Sequence, residues 1–244
     1  MWRVERLAKS TREVRPILKI GTVTIGETPR TAVLSDIRSL MTTDVQIVEK
    51  GALDDLSPAE RANLAPQAHD EMLVTRMRDG REVVLGRNRI LPKLQHRITE
   101  LDREAEVSLI TLLCSGVFPP FECTKPLITP YQLLRGVLAS LSVGVRVGMM
   151  VPSADQIQPI MASYADLGHK MLVIGVSPFA GREGIARAAE TLRGKVDVVF
   201  MNCFGYDLVM KSIVRQTTGK PVILPRSLLA RTIDDLLNGF CNRE

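Results

Sequence analysis

Strand-length apolar runs alternate with helix-length segments along most of this 244-residue chain. The run KIGTVTIG at 19–26 is rich in β-branched residues and ends in glycine, a pattern typical of a buried strand. Strands and helices that alternate in this way favour right-handed crossovers and a mainly parallel sheet with helices on both faces. A chain of this length buries enough apolar surface to fold without disulfides or metals. We therefore predict an α/β fold.

The alternation divides into two similar halves. The first half has a predicted hairpin around Asp79-Gly80 and predicted strands at 19–26, 45–48 and 107–113. The second half has predicted strands at 127–128, 145–151, 171–176, 198–201 and 222–224. In each half a late strand ends in Cys-x-Gly, which we interpret as the trace of a pseudo-twofold architecture.

The sequence of the first half predicts two helix N-termini. Thr28 precedes Pro29, which predicts an N-cap followed by the first helical residue. Ser57 followed by Glu60 three positions later is the pattern of a capping box.

The net charge of +5 is concentrated at the N-terminus, where the first 19 residues supply four of the five positive charges. Such a segment is compatible with nucleic-acid or anionic-lipid binding, but we favour a solvated basic tail over residues 1–15. No apolar run follows the basic residues, so a secretory signal is not expected. The apolar runs are also far shorter than the roughly 20 residues of a membrane-spanning helix. We therefore predict neither a nucleic-acid nor a membrane partner.

The chain contains four cysteines, Cys114, Cys123, Cys203 and Cys241, and no CxxC motif. Without a secretory signal they are expected to be reduced thiols in a cytoplasmic protein. The three histidines do not stand at metal-ligand spacing, so no metal site is predicted.

Cys114 and Cys203 each end a predicted core strand and precede an x-Gly. Ligands of parallel α/β sheets bind beyond the carboxyl ends of the strands, where helix N-termini favour a thiolate. Either cysteine alone is well explained as a small buried hydrophobe. The pair, in the same setting in both halves, favours a functional role.

Several segments resemble the AroM family: KIGTVTIGETPR at 19–30, Gly86-Arg87, Val151-Pro152, FMNCFGYD at 200–207 and VILPRSLLAR at 222–231. The resemblance extends from Lys19 to Leu237. That family is similar to the aspartate/glutamate racemase superfamily, which includes hydantoin racemases, maleate isomerases and arylmalonate decarboxylases. The resemblance implies two pseudosymmetric α/β halves, a cleft between them with one cysteine from each, and no cofactor.

The resemblance also implies roles for individual residues. Cys114 and Cys203 would be the catalytic acid and base, on opposite sides of a substrate carbon. The substrate would be held by Thr28, Arg30, Arg87, Ser115, Gly116, Phe204, Gly205 and Ser227. Amino-acid racemases have more hydroxyl and amide donors after their cysteines, which argues against an α-amino acid substrate here.

From the resembling folds we predict a basic tail at 1–15, a first half comprising 16–125 plus 223–244, and a second half at 126–222. The leading hypothesis is a cofactor-independent isomerase or racemase-type enzyme. Its substrate would be a small carboxylate or a cyclic amide or imide. Two alternatives remain: a single-cysteine decarboxylase or hydrolase, and a non-catalytic regulatory protein that binds a metabolite. A homo-oligomer is left open.

Overall fold

The computed structural model describes residues 18–68 and 70–241 of the chain. The basic tail predicted at 1–15 lies outside the described residues.

The described part of the first half consists of six strands and three helices. In chain order they are β1 (Leu18–Thr24), α1 (Thr31–Arg38), β2 (Val45–Gly51), α2 (Pro58–Ala62), β3 (Met72–Arg76), β4 (Glu82–Gly86), α3 (Arg87–Arg103), β5 (Val107–Leu112) and β6 (Leu127–Ile128).

The rest of the described chain contains four strands and five α-helices. These are α4 (Pro130–Ala139), β7 (Arg146–Val151), α5 (Ile157–Ser163), β8 (Lys170–Gly175), α6 (Gly181–Glu190), β9 (Val198–Met201), α7 (Leu208–Thr218), β10 (Val222–Ile223) and α8 (Pro225–Cys241). Single 3-10 turns at Ala154–Gln156 and Ala165–Leu167 flank α5.

The strands form two parallel sheets with the same internal order. The first sheet runs β2-β1-β5-β6 and the second runs β8-β7-β9-β10. Strand β5 of the first sheet is therefore equivalent to β9 of the second. The predicted α/β fold with two pseudosymmetric parallel-sheet halves is confirmed. The predicted hairpin is also present, as the antiparallel pair β3–β4, and it has no counterpart in the second half.

Local interactions explain where the helices begin. The capping box at α2 is formed as predicted, with the Glu60 N–H donating to Ser57 Oγ at 3.3 Å and the Ser57 N–H donating to Glu60 Oε2 at 2.8 Å. The Thr28 prediction is wrong: α1 begins at Thr31. The Thr28 hydroxyl donates instead to Asp54 Oδ2 at 2.7 Å, a carboxylate 26 residues away.

Two elements differ from the predicted boundaries between the halves. Strand β6, which we expected in the second half, pairs with β5 in the first sheet. Strand β10 begins at Val222 and pairs with β9 in the second sheet. The division of the chain into folding units at these positions stays a prediction.

Each sheet is covered by apolar side chains on both faces. One core of the first sheet includes Ile20 of β1 and Leu109 of β5, and it is completed by Leu229, Ala230 and Ile233 of α8. Burying each of these aliphatic side chains stabilises the fold by about 1–3 kcal/mol. Within residues 18–68 and 70–241, none of the helices has both the length and the apolar character to cross a membrane.

Candidate functional site

A cleft of about 540 Å³ lies at the carboxyl ends of strands from both sheets. Cys114, Ser115 and Gly116 reach it from the end of β5, and Asn202 and Cys203 reach it from the equivalent end of β9. Residues 70–74, which lead into and form part of the β3–β4 hairpin, make another wall. The two strand-end cysteines of the two sheets therefore open onto the same cavity.

Each of the two Cys-x-Gly loops contains the same kind of hydrogen bond, from the glycine N–H to the cysteine sulfur. The Gly116 N–H donates to Cys114 Sγ at 3.4 Å, and the Gly205 N–H donates to Cys203 Sγ at 3.2 Å. Each glycine N–H thus points at its own sulfur, where it stabilises a thiolate. The predicted role of Gly116 and Gly205 in holding the substrate stays a prediction.

Burial dominates the ionisation of both thiols. It raises the pKa of Cys114 to about 12, and the Gly116 N–H and the Arg30 charge offset only part of this effect. Burial also raises the pKa of Cys203, against the opposing effects of the Gly205 N–H, Arg226 and Arg30. The expectation that the sequence setting favours the thiolate by lowering the thiol pKa is wrong, because loss of hydration outweighs the nearby donors and positive charges.

A second cavity of about 440 Å³ is lined by Arg30 and Gly205, among others. The Arg30 guanidinium donates through Nη1 to the Arg76 carbonyl at 2.8 Å and makes no ion pair with any described residue. Burial, together with the charge of Arg226, lowers the pKa of Arg30. The Arg30 charge in turn favours the thiolate forms of Cys114 and Cys203.

Arg226, at the start of α8, is 5% exposed and fixes the loop after Cys203. Its Nε and Nη2 donate to the Phe204 carbonyl at 2.9 and 2.6 Å, and its Nη1 donates to Asp36 Oδ2 at 2.8 Å. Asp36 lies on α1, so this one side chain joins both sheets at the site. No local sequence pattern predicts this role of Arg226.

A family model described as AroM protein matches residues 20–237 of the chain. The chain belongs to the AroM family. No match is found among curated proteins.

Solved structures show the fold that this AroM chain shares. It is similar to an aspartate racemase from Picrophilus torridus, at 13% identity and a TM-score of 0.61, over 93% of this chain and 95% of that one. It is similar to the maleate isomerase Iso from Pseudomonas putida S16, at 12% identity and a TM-score of 0.61, over 91% and 93% of the two chains. An allantoin racemase from Pseudomonas fluorescens matches at 14% identity and a TM-score of 0.57, over 92% of each chain.

Four residues that we predicted to bind substrate line neither cavity of the AroM chain. Thr28 is bound to Asp54, and Phe204 is packed in the core that α8 completes. The Ser227 hydroxyl accepts from Lys211 Nζ at 2.9 Å and donates to the Leu224 carbonyl at 3.0 Å. Arg87 donates through Nη1 to the Val117 carbonyl at 3.2 Å and pairs with Glu71, so it supports the cleft wall from behind. Their roles toward a substrate stay predictions.

The Asp54 carboxylate organises the loop after β1. Burial raises the pKa of Asp54, but hydrogen bonds from Thr28 and Gly51 and the charge of Arg78 together lower it below its ordinary value. The carboxylate is therefore charged at neutral pH and holds the loop that carries Arg30.

Among the described side chains, Cys123 and the histidines add no second site. Cys123 lies away from both cavities, where its thiol donates to Asp102 Oδ1 at 3.4 Å. The side chain of Cys241 lies outside the described residues. Across residues 18–68 and 70–241 there is no group of three or more His, Cys, Asp or Glu side chains that could hold a metal ion.

Proposed function

We propose that this AroM chain is a cofactor-independent isomerase or racemase-type enzyme. In this proposal Cys114 and Cys203 transfer protons at a carbon beside a carboxylate or an imide-like carbonyl. The observation that carries the proposal is the placement of the two thiols at equivalent strand ends of two sheets, on one cleft. Reduced thiols of this kind fit the cytoplasmic location that we expect.

The unequal charges around the two thiols suggest which one is the base. Arg226 and Arg30 both favour the Cys203 thiolate, whereas Arg30 alone favours that of Cys114. Cys203, once deprotonated, would remove the proton from one face of the carbon, and the Cys114 thiol would give its proton to the other face. The carbon is then inverted or isomerised, and the two sulfurs have exchanged protonation states, so the return reaction uses them in the opposite roles.

Arg30, which lines the second cavity and not the cleft, is the candidate for stabilising through space the charge that develops on the carbonyl oxygen. Its guanidinium is partly buried, has no carboxylate partner among the described residues, and acts electrostatically on both thiols. A positive charge already fixed in a site of low dielectric costs no reorganisation during the reaction.

A second candidate uses one cysteine only. Because the two thiols have unequal surroundings, Cys203 can act as the sole base or nucleophile of a decarboxylase or hydrolase. The raised pKa of both thiols also suits a metabolite-binding protein without catalysis, which is the third reading.

Deuterium exchange distinguishes these three functional hypotheses. We expect the wild-type chain to catalyse exchange of the proton beside the carbonyl of 5-benzylhydantoin or 2-phenylpropionate in D₂O, followed by proton NMR. Cys114→Ser and Cys203→Ser should each lower the catalysed rate about 10²–10⁴-fold, the usual contribution of an acid or base, while ligand affinity is kept. Cys123→Ser is the matched control and should not change the rate.

Other outcomes point elsewhere. Loss of turnover in Cys203→Ser alone supports the single-cysteine reading. Binding of a probe without exchange in the wild type, unchanged in both serine variants, supports the binding protein and contradicts our proposal.

A further inference from the structure

Asn202 lines the cleft and carries a hydrogen-bonding oxygen that has no partner among the described residues. It directly precedes Cys203, is 4% exposed, and lines the cavity that both thiols share. Its Oδ1 atom is buried and has no hydrogen-bond partner among the described residues. A buried amide oxygen left unpaired is unfavourable, so a ligand that donates to it is bound more tightly.

The charge of the residues that line the cleft disfavours a ligand with two carboxylates. Among the described residues that line it there is no lysine or arginine, whereas Asp70, Glu71 and Asp155 are present. Glu71 and Asp70 are paired with Arg87 and Arg89 behind the wall, at 3.0 and 3.6 Å, and Arg30 lines the second cavity, so none of the described lining residues of the cleft offers a ligand a free positive charge.

The rest of the lining is largely apolar. Ile25, Leu73, Val117 and Ile160 face the cavity together with prolines. A volume of about 540 Å³ has room for a ring with an apolar substituent, within the usual size of small-molecule sites.

We infer that Asn202 is the specificity-determining residue of the cleft, and that it selects a ligand edge in which an N–H stands beside a C=O, as in an amide, imide or ureide. A carboxamide presents one acceptor and one donor side by side, and such an edge satisfies both together. A carboxylate has no donor for Oδ1 and would meet it oxygen to oxygen. The inference rests on the proposed function for its reaction, and it narrows the substrate to a neutral amide-type compound with an apolar substituent.

The test compares two binding probes of similar apolar size, 5-benzylhydantoin and the dicarboxylate benzylsuccinate, by titration calorimetry. We expect the wild type to bind the hydantoin at least about tenfold more tightly. Asn202→Leu, which keeps the shape and removes both polar atoms, should weaken hydantoin binding about 10–100-fold and change benzylsuccinate binding by less than about threefold. Asn88→Leu, at an exposed position of α3, is the matched control and should change neither.

Asn202→Asp distinguishes a loss of ligand contacts from a general loss of structure. It keeps the acceptor, removes the donor and adds a negative charge. Hydantoin affinity should therefore fall between those of the wild type and Asn202→Leu, and benzylsuccinate affinity should fall further than in Asn202→Leu.

Three results would overturn the inference: a wild type that does not bind the hydantoin, a wild type that prefers benzylsuccinate, or Asn202 variants that weaken both probes equally. The proposed function fails separately. If exchange is absent while the Asn202-dependent preference persists, including in Cys114→Ser and Cys203→Ser, the cleft recognises amide-type ligands without the two-thiol reaction.

Discussion

The two Cys-x-Gly loops have the same backbone arrangement and opposite surroundings. In both, the glycine N–H donates to the cysteine sulfur. The middle residues of the two loops differ. Ser115 faces the cleft, whereas Phe204 is packed into the core of the first sheet and its carbonyl accepts from Arg226. The symmetric motif therefore positions the two sulfurs in the same way. The residue between cysteine and glycine decides whether the loop also offers a polar group to the ligand.

The sharpest way to break the asymmetry is to remove Arg226. Arg226→Met removes the side-chain donors of the Phe204 carbonyl and leaves the Asp36 carboxylate with only the Leu208 N–H, so we expect a loss of about 3 kcal/mol in the free energy of unfolding. Urea denaturation measures this loss. Arg231→Met, an exposed arginine of the same helix, should lie within about 0.5 kcal/mol of the wild type. Equal values for the two variants would show that Arg226 does not hold the loop.

Alanine at each loop glycine compares the space around the two sulfurs. A Cβ on Gly205 would stand 2.5 Å from Pro178 Cγ, in a rigid ring, whereas on Gly116 it would stand 3.0 Å from Leu73 Cδ2 and 3.2 Å from the edge of the Phe118 ring. We expect Gly205→Ala to destabilise by about 2–3 kcal/mol and Gly116→Ala by about 1 kcal/mol or less.

Thermal and urea unfolding test this order. Gly136→Ala, inside α4 with no atom within 4 Å of the new Cβ, is the control and should stabilise by about 0.5–1 kcal/mol. A larger loss at Gly116 than at Gly205 would reverse the comparison.

The smallest effect is expected from Arg30, which acts on both thiols at once. With the pKa of Cys114 raised to about 12, its thiol stays protonated through neutral pH and its alkylation rises only on the alkaline side. Cys203, near two arginines, should react faster with iodoacetamide than Cys114 at each pH from 7 to 10. Arg30→Met removes a positive charge and should slow both alkylations a few-fold, as read by peptide mass spectrometry, with Arg231→Met unchanged. Faster alkylation in Arg30→Met would contradict the assignment.

The elements that the sequence predicted are those encoded locally. The apolar runs, the Asp79-Gly80 hairpin and the Ser57 capping box each depend on residues a few positions apart, and all are formed. Thr28 has equally good capping chemistry, but Asp54 competes for it from 26 residues away. Strand β6 has two residues, too few for its pattern to say which sheet it joins.

The same distinction separates the predicted from the missed site residues. The cysteines were found because strand ends and glycines mark them in the sequence. Arg226 forms an ion pair with Asp36, 190 residues away. The Oδ1 atom of Asn202 has no hydrogen-bond partner among the described residues. No local pattern reports either fact.

The position of α8 bears on the order in which the chain matures on the ribosome. Leu229, Ala230 and Ile233 complete a core of the first sheet, and they are synthesised after every described strand of both sheets. The second sheet has all its strands once β10 has emerged, whereas the first must wait with part of its apolar surface uncovered. Domains usually fold in the order in which they are made. Here the half that is translated first is the half that is finished last.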